Sequence, residues 1–273
     1  MSSEKVSVVI PTWNHAAYLT HAIQSVLQQT YEVHEILVCD DGSTDGSREM
    51  VAAFGDKRIK WILGERAGRP AVPRNRGLRQ ATGTWVAFLD SDDAWLPEKL
   101  ASQFKAMHRT RCLASSTNAW RLLPKVGRSS PYLEYNQETI GLNDLLQVNQ
   151  VICSSSLVRR DLVLRAGGFP EAEKLRAIED FALWLRIATM TSFAYVDVPQ
   201  VDYLDHPAES WRALAETKEL QQQEDVRLNF LEWSNQSDVS ASSRKLIKQF
   251  ARQAMKANGR GFFERMKVLD WQG

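Results

Sequence analysis

Cysteine is scarce in this chain. Cys39, Cys112 and Cys153 are the only three in 273 residues. They are odd in number and far apart, which makes neither a disulfide framework nor a zinc pattern, so a reducing compartment is expected. An excess of one charge is missing too: 34 Lys and Arg face 33 Asp and Glu, a formal +1. No global field points to nucleic acid, and no nucleic-acid partner is expected. No run of about 18 apolar residues is there to span a bilayer. Met1 to Lys5 are too short and polar to lead a secretion signal, so the expected location is the cytoplasm. The sequence has no G-x-G-x-x-G, Walker A loop, G-x-S-x-G or H-E-x-x-H. That weighs against a dehydrogenase, a P-loop enzyme, an α/β-hydrolase and a zincin. Solenoid repeats and low-complexity segments are also lacking, and the sequon Asn235-Gln236-Ser237 is read as chance.

What is present suits a globular enzyme. Hydrophobic residues are 44% and charged residues 25%, and a chain this long can bury roughly three quarters of its unfolded surface. Nine tryptophans suit a site that handles rings. Apolar, β-branched runs at Val6–Ile10, Glu35–Cys39, Ile59–Leu63 and Trp85–Leu89 read as strands. Helical spacing follows over Tyr18–Leu27 with Asn14 as its cap, over Ser47–Phe54, and over Asn75–Gln80. This alternation predicts a doubly wound, mostly parallel sheet buried on both faces. Beyond Pro97, helices are expected at Glu98–Met107 and Ile178–Met190, a turn at Gly167-Gly168-Phe169-Pro170, and a strand at Phe193–Val198. Everything after about Glu216 reads as helical.

In such sheets ligands sit beyond the carboxyl ends of the strands. Three of the four predicted ends carry polar clusters: Thr12-Trp13-Asn14, Asp40-Asp41 and Asp90-Ser91-Asp92-Asp93. Three carboxylates in four residues repel one another unless a cation lies between them, and a hard divalent ion with phosphate co-ligands does this. A solvated, helix-capping turn is the alternative. Asp41 can accept from a pyrimidine imide or from ribose, or simply close an Asx turn. Arg74-Asn75-Arg76 offers guanidinium forks to phosphate, or is a solvated basic turn. Glu179-Asp180 opens a helix with Asp180 on the face of Leu183 and Trp184. There the helix N-terminus favours the charged carboxylate and burial the neutral one, a balance that suits a general base; plain capping is the alternative. His206, after a predicted strand, is either structural or a phosphate or metal contact.

These residues together resemble the family 2 glycosyltransferases, inverting enzymes with the GT-A fold. The resemblance rests on Val8 to Asn14, Asp40 to Asp45, Arg74-Asn75-Arg76-Gly77, Ala81-Thr82-Gly83, Phe88 to Asp93, Gly167-Gly168-Phe169 and Glu179-Asp180. It covers about residues 5 to 212. It implies transfer of a sugar from a nucleotide-diphosphate donor to a hydroxyl of a carbohydrate or lipid-linked acceptor, in cell-surface polysaccharide or glycolipid synthesis. By matched position, Pro11, Thr12 and Asp41 would hold base and ribose, with Asn14 and Ser91 beside them. Arg74 would lie near base and diphosphate. Asp90 and Asp92 are the acids of a D-x-D motif that binds ribose and Mn²⁺ or Mg²⁺. Asp180 matches the catalytic base, with Glu179 next to it, and His206 a histidine near the diphosphate and metal. Trp13, Pro73 and Phe181-Ala182 depart from the family pattern, which bears on donor-pocket shape and acceptor. A sugar nucleotidyltransferase and a non-catalytic nucleotide-sugar binder are the rivals. The former usually carries a glycine-rich signature with lysine near the N-terminus, which is missing; intact Asp92 and Asp180 speak against the latter.

The expected division is a catalytic domain over 1–212, nucleotide-binding to about 95 and acceptor-binding from 96, followed by a helical segment over 213–273. Between Arg244 and Lys267 stand eight basic residues and one acid, with Leu246, Ile247, Phe250, Ala251, Ala254 and Met255 as an apolar stripe. Two readings stay open: a basic amphipathic helix on the inner face of the cell membrane, or a helix packed on the catalytic domain. The sequence leaves the oligomeric state open.

Overall fold

The computed structural model describes residues 4–205 and 219–253. In chain order its elements begin β1 (Val6–Thr12), α1 (Ala16–Leu27), β2 (Glu35–Asp40), α2 (Ser47–Ala53), β3 (Ile59–Ile62), α3 (Ala71–Gln80) and β4 (Trp85–Phe88). Next come β5 (Ala94–Trp95), α4 (Lys99–Thr110), β6 (Ala114–Leu123), β7 (Gly127–Pro131), β8 (Thr139–Ile140), α5 (Leu142–Gln147), a 3₁₀ turn (Cys153–Ser155) and β9 (Leu157–Arg159). The described chain closes with α6 (Arg160–Arg165), α7 (Glu179–Ala188), β10 (Phe193–Leu204), α8 (Glu219–Gln236) and a further helix over 241–253.

One sheet runs through the molecule in the order β3-β2-β1-β4-β9-β6-β10-β5, with β7 on β6 and β8 on β10. β1, β2, β3 and β4 are parallel neighbours, and β6 pairs parallel with β10. The short β9 lies antiparallel between β4 and β6, so all six principal strands point the same way. Helices cover both faces. Leu19, Ile23 and Val26 of α1 and Leu100 and Phe104 of α4 pack on one, with Val8, Ile10 and Val38 of the sheet. Leu78 of α3 and Leu183, Trp184 and Ile187 of α7 pack on the other, with Val9, Leu37 and Phe88. Strands buried on both sides are therefore apolar at consecutive positions, as the sequence shows.

Three boundaries differ from expectation, each for a physical reason. α3 starts at Ala71 rather than Asn75, with Pro70 and Pro73 inside or next to its first turn. That turn needs no backbone donors, so prolines that look like breakers are accommodated there. Asn14 is not the cap of α1: His15 is, and Asn14 has φ 50°. β10 does not end before Pro199 but resumes after a register shift between Val196 and Val201, where a missing N–H does no harm.

The C-terminal stripe faces inward as far as it is described. Ile247, Phe250 and Ala251 are buried in the main core and Leu246 packs against it, while Arg244, Lys245 and Arg252 are exposed. Over 244–253 the structure thus takes the packed reading. Residues 254–267, like His206, lie outside the described residues.

Candidate active site

Because β1, β2 and β4 run parallel, their carboxyl ends bring the three polar clusters to one edge. α3 closes over that edge because Gly77 lies flat on the sheet. A Cβ there would stand 2.6 Å from Cys39 Sγ and from Val9 Cγ1. This contact sets Arg74, one turn earlier, above the ends of the strands.

Arg74 is the hub. One guanidinium nitrogen donates to Asp90 Oδ1 at 2.5 Å and another to Glu179 Oε1 at 2.6 Å. Arg74 and Glu179 are buried, whereas the Asp90 side chain keeps 29% of its surface in solvent. Both carboxylates act to keep the guanidinium charged. The neighbouring Asn75 pins the Gly167–Phe169 turn, donating to the Phe169 carbonyl at 2.8 Å and accepting the Phe169 N–H at 2.9 Å. Gly168, at φ +71°, makes that approach, since a Cβ would come within 2.6 Å of Asn75 Oδ1. α7 is tied to the Asp90 cluster through the Glu179–Arg74 pair, and the 3₁₀ turn through Ser154 Oγ, which accepts the Asp90 N–H at 3.0 Å.

Asp180 follows Glu179 in the first turn of α7 and is only partly exposed. Burial and then the Glu179 carboxylate raise its pKa, Arg74 and the Phe181 N–H pull it back, and the outcome is about 7. Tyr203, near the end of β10, has its hydroxyl pKa raised by burial and by the charges of Asp93, Asp90, Asp92 and Asp180. That shared influence marks the four carboxylates as one electrostatic cluster. Trp184, one turn on from Asp180, is fully buried. It sits in the core among Phe88, Phe169 and Phe193.

The second cluster is built around Asp41. Its carboxylate accepts the backbone N–H groups of Ala67 and Gly68, each at 2.9 Å, and forms an ion pair with Arg66. The Arg66 guanidinium lies 3.7 Å from the centre of the Trp13 ring, which is 44% exposed. Asn14 staples two loops: its N–H donates to Ser43 Oγ at 2.9 Å, and its Oδ1 accepts the Thr44 N–H at 2.8 Å. Pro11 and Thr12 are buried at the end of β1. The Thr12 hydroxyl has no hydrogen-bond partner among the described residues. Ser91 is buried and shares a hydrogen bond with His15 Nδ1 at 2.9 Å, which ties the Asp90 loop to the start of α1.

The structure thus gathers Pro11, Thr12, Asn14, Asp41, Arg74, Asp90, Ser91, Asp92, Glu179 and Asp180 along one edge of the sheet. Sequence reasoning missed Arg66, His15, Tyr203 and the serine turn at 153–155. None of them falls in a motif, and each acts through a long-range contact.

Asp90 and Asp92 are oxygen donors at a partly exposed position, chemistry that fits a hard divalent cation sharing its shell with phosphate. Among the described residues no three His, Cys, Asp or Glu side chains are arranged to hold an ion unaided, so a phosphate-bearing ligand would have to supply the other donors.

A family model described as "Glycosyl transferase family 2" matches residues 7–165. The chain is 32% identical over 232 residues to UDP-Glc:alpha-D-GlcNAc-diphosphoundecaprenol beta-1,3-glucosyltransferase WfgD of Escherichia coli, covering 85% of this chain and 88% of that protein. It is 31% identical to the putative teichuronic acid biosynthesis glycosyltransferase TuaG of Bacillus subtilis, over 70% of this chain and 74% of that one. It is 35% identical to the uncharacterized glycosyltransferase RC0461 of Rickettsia conorii, where the match takes 72% of this chain but spans only 32% of the relative. Among solved structures, S. aureus TarS 1-349 in complex with UDP-GlcNAc superposes with a TM-score of 0.72 at 21% identity, covering 92% of this chain and 73% of that one. The mannosyltransferase PcManGT from Pyrobaculum calidifontis, in complex with GDP-Man and Mn²⁺, gives 0.56 at 18% identity, over 96% and 78%.

Proposed function

The chain belongs to the family 2 glycosyltransferases and has their GT-A fold, and from that premise we propose that it moves a hexosyl group, with inversion, from a UDP-sugar to a hydroxyl of a lipid-diphosphate-linked saccharide. The observation that carries the reading is Asp180: a carboxylate with pKa about 7, beside the Asp90–Arg74–Glu179 chain at the carboxyl edge of the sheet. A base with that pKa is half deprotonated at neutral pH and still basic enough to take a proton. The names of WfgD and TuaG support a lipid-linked or cell-envelope acceptor, and those of WfgD and of the TarS complex support uridine as the nucleoside.

In this reading Asp41 and Trp13 meet the base, and Thr12 and Asn14 line the path to the ribose. Asp90 and Asp92 would hold a Mn²⁺ or Mg²⁺, which would supply charge neutralisation for the departing nucleotide. Asp180 accepts the proton of the acceptor hydroxyl as its oxygen attacks the anomeric carbon from the face opposite the diphosphate, through an oxocarbenium-like transition state. Glu179 is a holder of Arg74 rather than a second base, since its carboxylate is buried against that guanidinium. The catalytic unit is residues 1–212, with the donor half reaching to about 95.

The exposed Arg244, Lys245 and Arg252 make any attachment through 244–253 electrostatic, at the inner face of the membrane. Binding to anionic vesicles that disappears at about 0.5 M salt agrees with this; salt-resistant binding contradicts it.

Asp180→Asn tests the catalytic assignment. Transfer from UDP-glucose to a GlcNAc-diphospholipid should fall by about a thousandfold or more, while UDP affinity stays within a factor of about two. Near-normal turnover removes Asp180 from the role of base.

A further inference from the structure

Three consecutive carbonyls on one short turn are each held by a different side chain. The Ser154 carbonyl accepts the Trp95 indole N–H at 2.7 Å, the Ser155 carbonyl the Gln103 amide at 2.8 Å, and the Ser156 carbonyl an N–H of Lys99 Nζ at 3.4 Å. All three serines and both polar donors, Lys99 and Gln103, are fully buried. A second set of bonds fixes the hydroxyls of the turn. Ser155 Oγ donates to the Ile152 carbonyl at 2.9 Å and Ser156 Oγ to the Cys153 carbonyl at 2.7 Å.

Ser154 Oγ is the exception, because it points out of the turn. It donates to Asp93 Oδ2 at 2.5 Å and accepts the Asp90 backbone N–H at 3.0 Å. A hydroxyl has one proton to give, so bonding to Asp93 fixes the rotor and leaves a lone pair for Asp90. The other oxygen of Asp93 accepts the Leu204 N–H at 2.8 Å, at the end of β10. One buried carboxylate and one hydroxyl therefore join the ends of β4 and β10 to a turn whose own place is fixed three times over.

We propose that Ser154, oriented by Asp93, is a positioning residue for donor binding: it sets the backbone of Asp90 so that the Asp90 and Asp92 carboxylates face the diphosphate and its cation together. The inference rests on the assignment of Asp90 and Asp92 to the donor. Ser154 touches neither donor nor cation; it acts through the Asp90 N–H. Displacing that N–H rotates the Asp90 loop about its anchor to Arg74, and a site that needs two carboxylates on one ion loses affinity with small misplacement.

The experiment is calorimetric binding of UDP with saturating Mn²⁺, and of Mn²⁺ to the UDP-loaded protein, on the full chain. Ser154→Ala should weaken both by about tenfold or more. Gln103→Leu injures the same turn without touching Ser154 Oγ. It should lower the melting temperature by at least as much and leave both affinities within twofold. Ser154→Cys, whose thiol is a weaker donor and acceptor, should fall between Ala and wild type, and is read on the same scale should Ser154→Ala not fold. Equal losses for Ser154→Ala and Gln103→Leu, or affinities within twofold of wild type for the Ser154 variants, overturn the proposal. Asp90→Ala separates it from its premise. If that variant binds UDP and Mn²⁺ like the wild type, the donor assignment itself fails; if it loses binding while the Ser154 variants do not, only the positioning role fails.

Discussion

Arg74 donates to Glu179 over 2.6 Å with both side chains buried, and this contact joins the first turn of α7 to the strand ends that carry Asp90. A buried pair contributes little net stability against an apolar substitute, but removing one partner leaves a charge out of water. Glu179→Ala should therefore destabilise the protein by about 3 kcal/mol in urea denaturation. Glu179→Gln, which keeps an acceptor for the guanidinium, should lose less and retain measurable transfer. A Glu179→Ala loss below about 1 kcal/mol shows that Arg74 is held sufficiently by Asp90 alone.

Asp180 predicts a pH profile and a stability change of defined sign. Its carboxyl goes from an ordinary 3.8 to about 7, so the folded protein holds a proton that the unfolded chain has released. Stability should decline as pH rises from about 4 to about 7 and level off above, the sign for an acid whose pKa is raised by folding. At pH 8 the neutral Asp180→Asn should be more stable than wild type by about 2 kcal/mol, while inactive. The kcat/KM of the wild type should rise along a limb centred near pH 7. A limb near pH 4 means that Asp180 is charged throughout and rules out the environment described here.

The strand ends were legible in the sequence because they obey two local rules. Apolar runs buried on both faces need no alternation to be seen, and Asp40-Asp41 and Asp90 to Asp93 are too acidic to be anything but the end of an element. Asp180 could be placed by its position at a helix start. What stayed illegible depends on tertiary contact. Pro70 and Pro73 hide the first turn of α3 because a proline is acceptable only where no N–H is needed, and sequence alone does not say where that is. The tryptophans mislead in number: Trp184 packs the core and Trp95 holds a carbonyl, while Trp13 lays its ring against Arg66 beside Asp41. Arg66 cannot be paired with Asp41 by spacing, for the two meet only across a loop.

Arg66 stands where the donor's base is proposed to go. With its guanidinium 3.7 Å from the Trp13 ring and paired to Asp41, it must leave before a base can stack on Trp13 and offer a proton to Asp41. A half-exposed ion pair with a cation–π contact is worth about 1 kcal/mol. Arg66→Ala should accordingly bind uridine, which has no phosphate to attract a cation, about fivefold more tightly than wild type. Weaker uridine binding in the variant means that Arg66 embraces the base instead of competing with it. Trp13→Ala and Asp41→Asn controls, both expected to lose uridine, keep that outcome distinct from a misplaced base site.

Glu35 gives a prediction that belongs to stability alone. It sits at the amino end of β2, at the edge of the sheet opposite the site, and accepts from Ser7 Oγ, from the Thr82 N–H and hydroxyl, and from Lys60 Nζ, at 2.7 to 2.8 Å. Ser7 Oγ in turn accepts the Gly83 N–H at 2.8 Å. One carboxylate thus fastens β1, β2, β3 and the entry to β4. Burial opposes its charge, but Lys60, Ser7 and Thr82 outweigh burial and bring its pKa from 4.5 down to about 2. The sign is opposite to that at Asp180: its stabilisation is complete above about pH 4.5 and disappears as pH falls towards 2. Glu35→Gln should lower stability at pH 7 by about 2 kcal/mol, after discounting the exposed Lys60 end of the pair. The gap to wild type should close as both are titrated to pH 2. Turnover at 25 °C should be unchanged, because nothing at this edge reaches the carboxyl ends of the strands except through a rigid sheet. A variant that loses stability equally at pH 7 and pH 2 shows that the hydrogen bonds, and not the charge, fasten this corner.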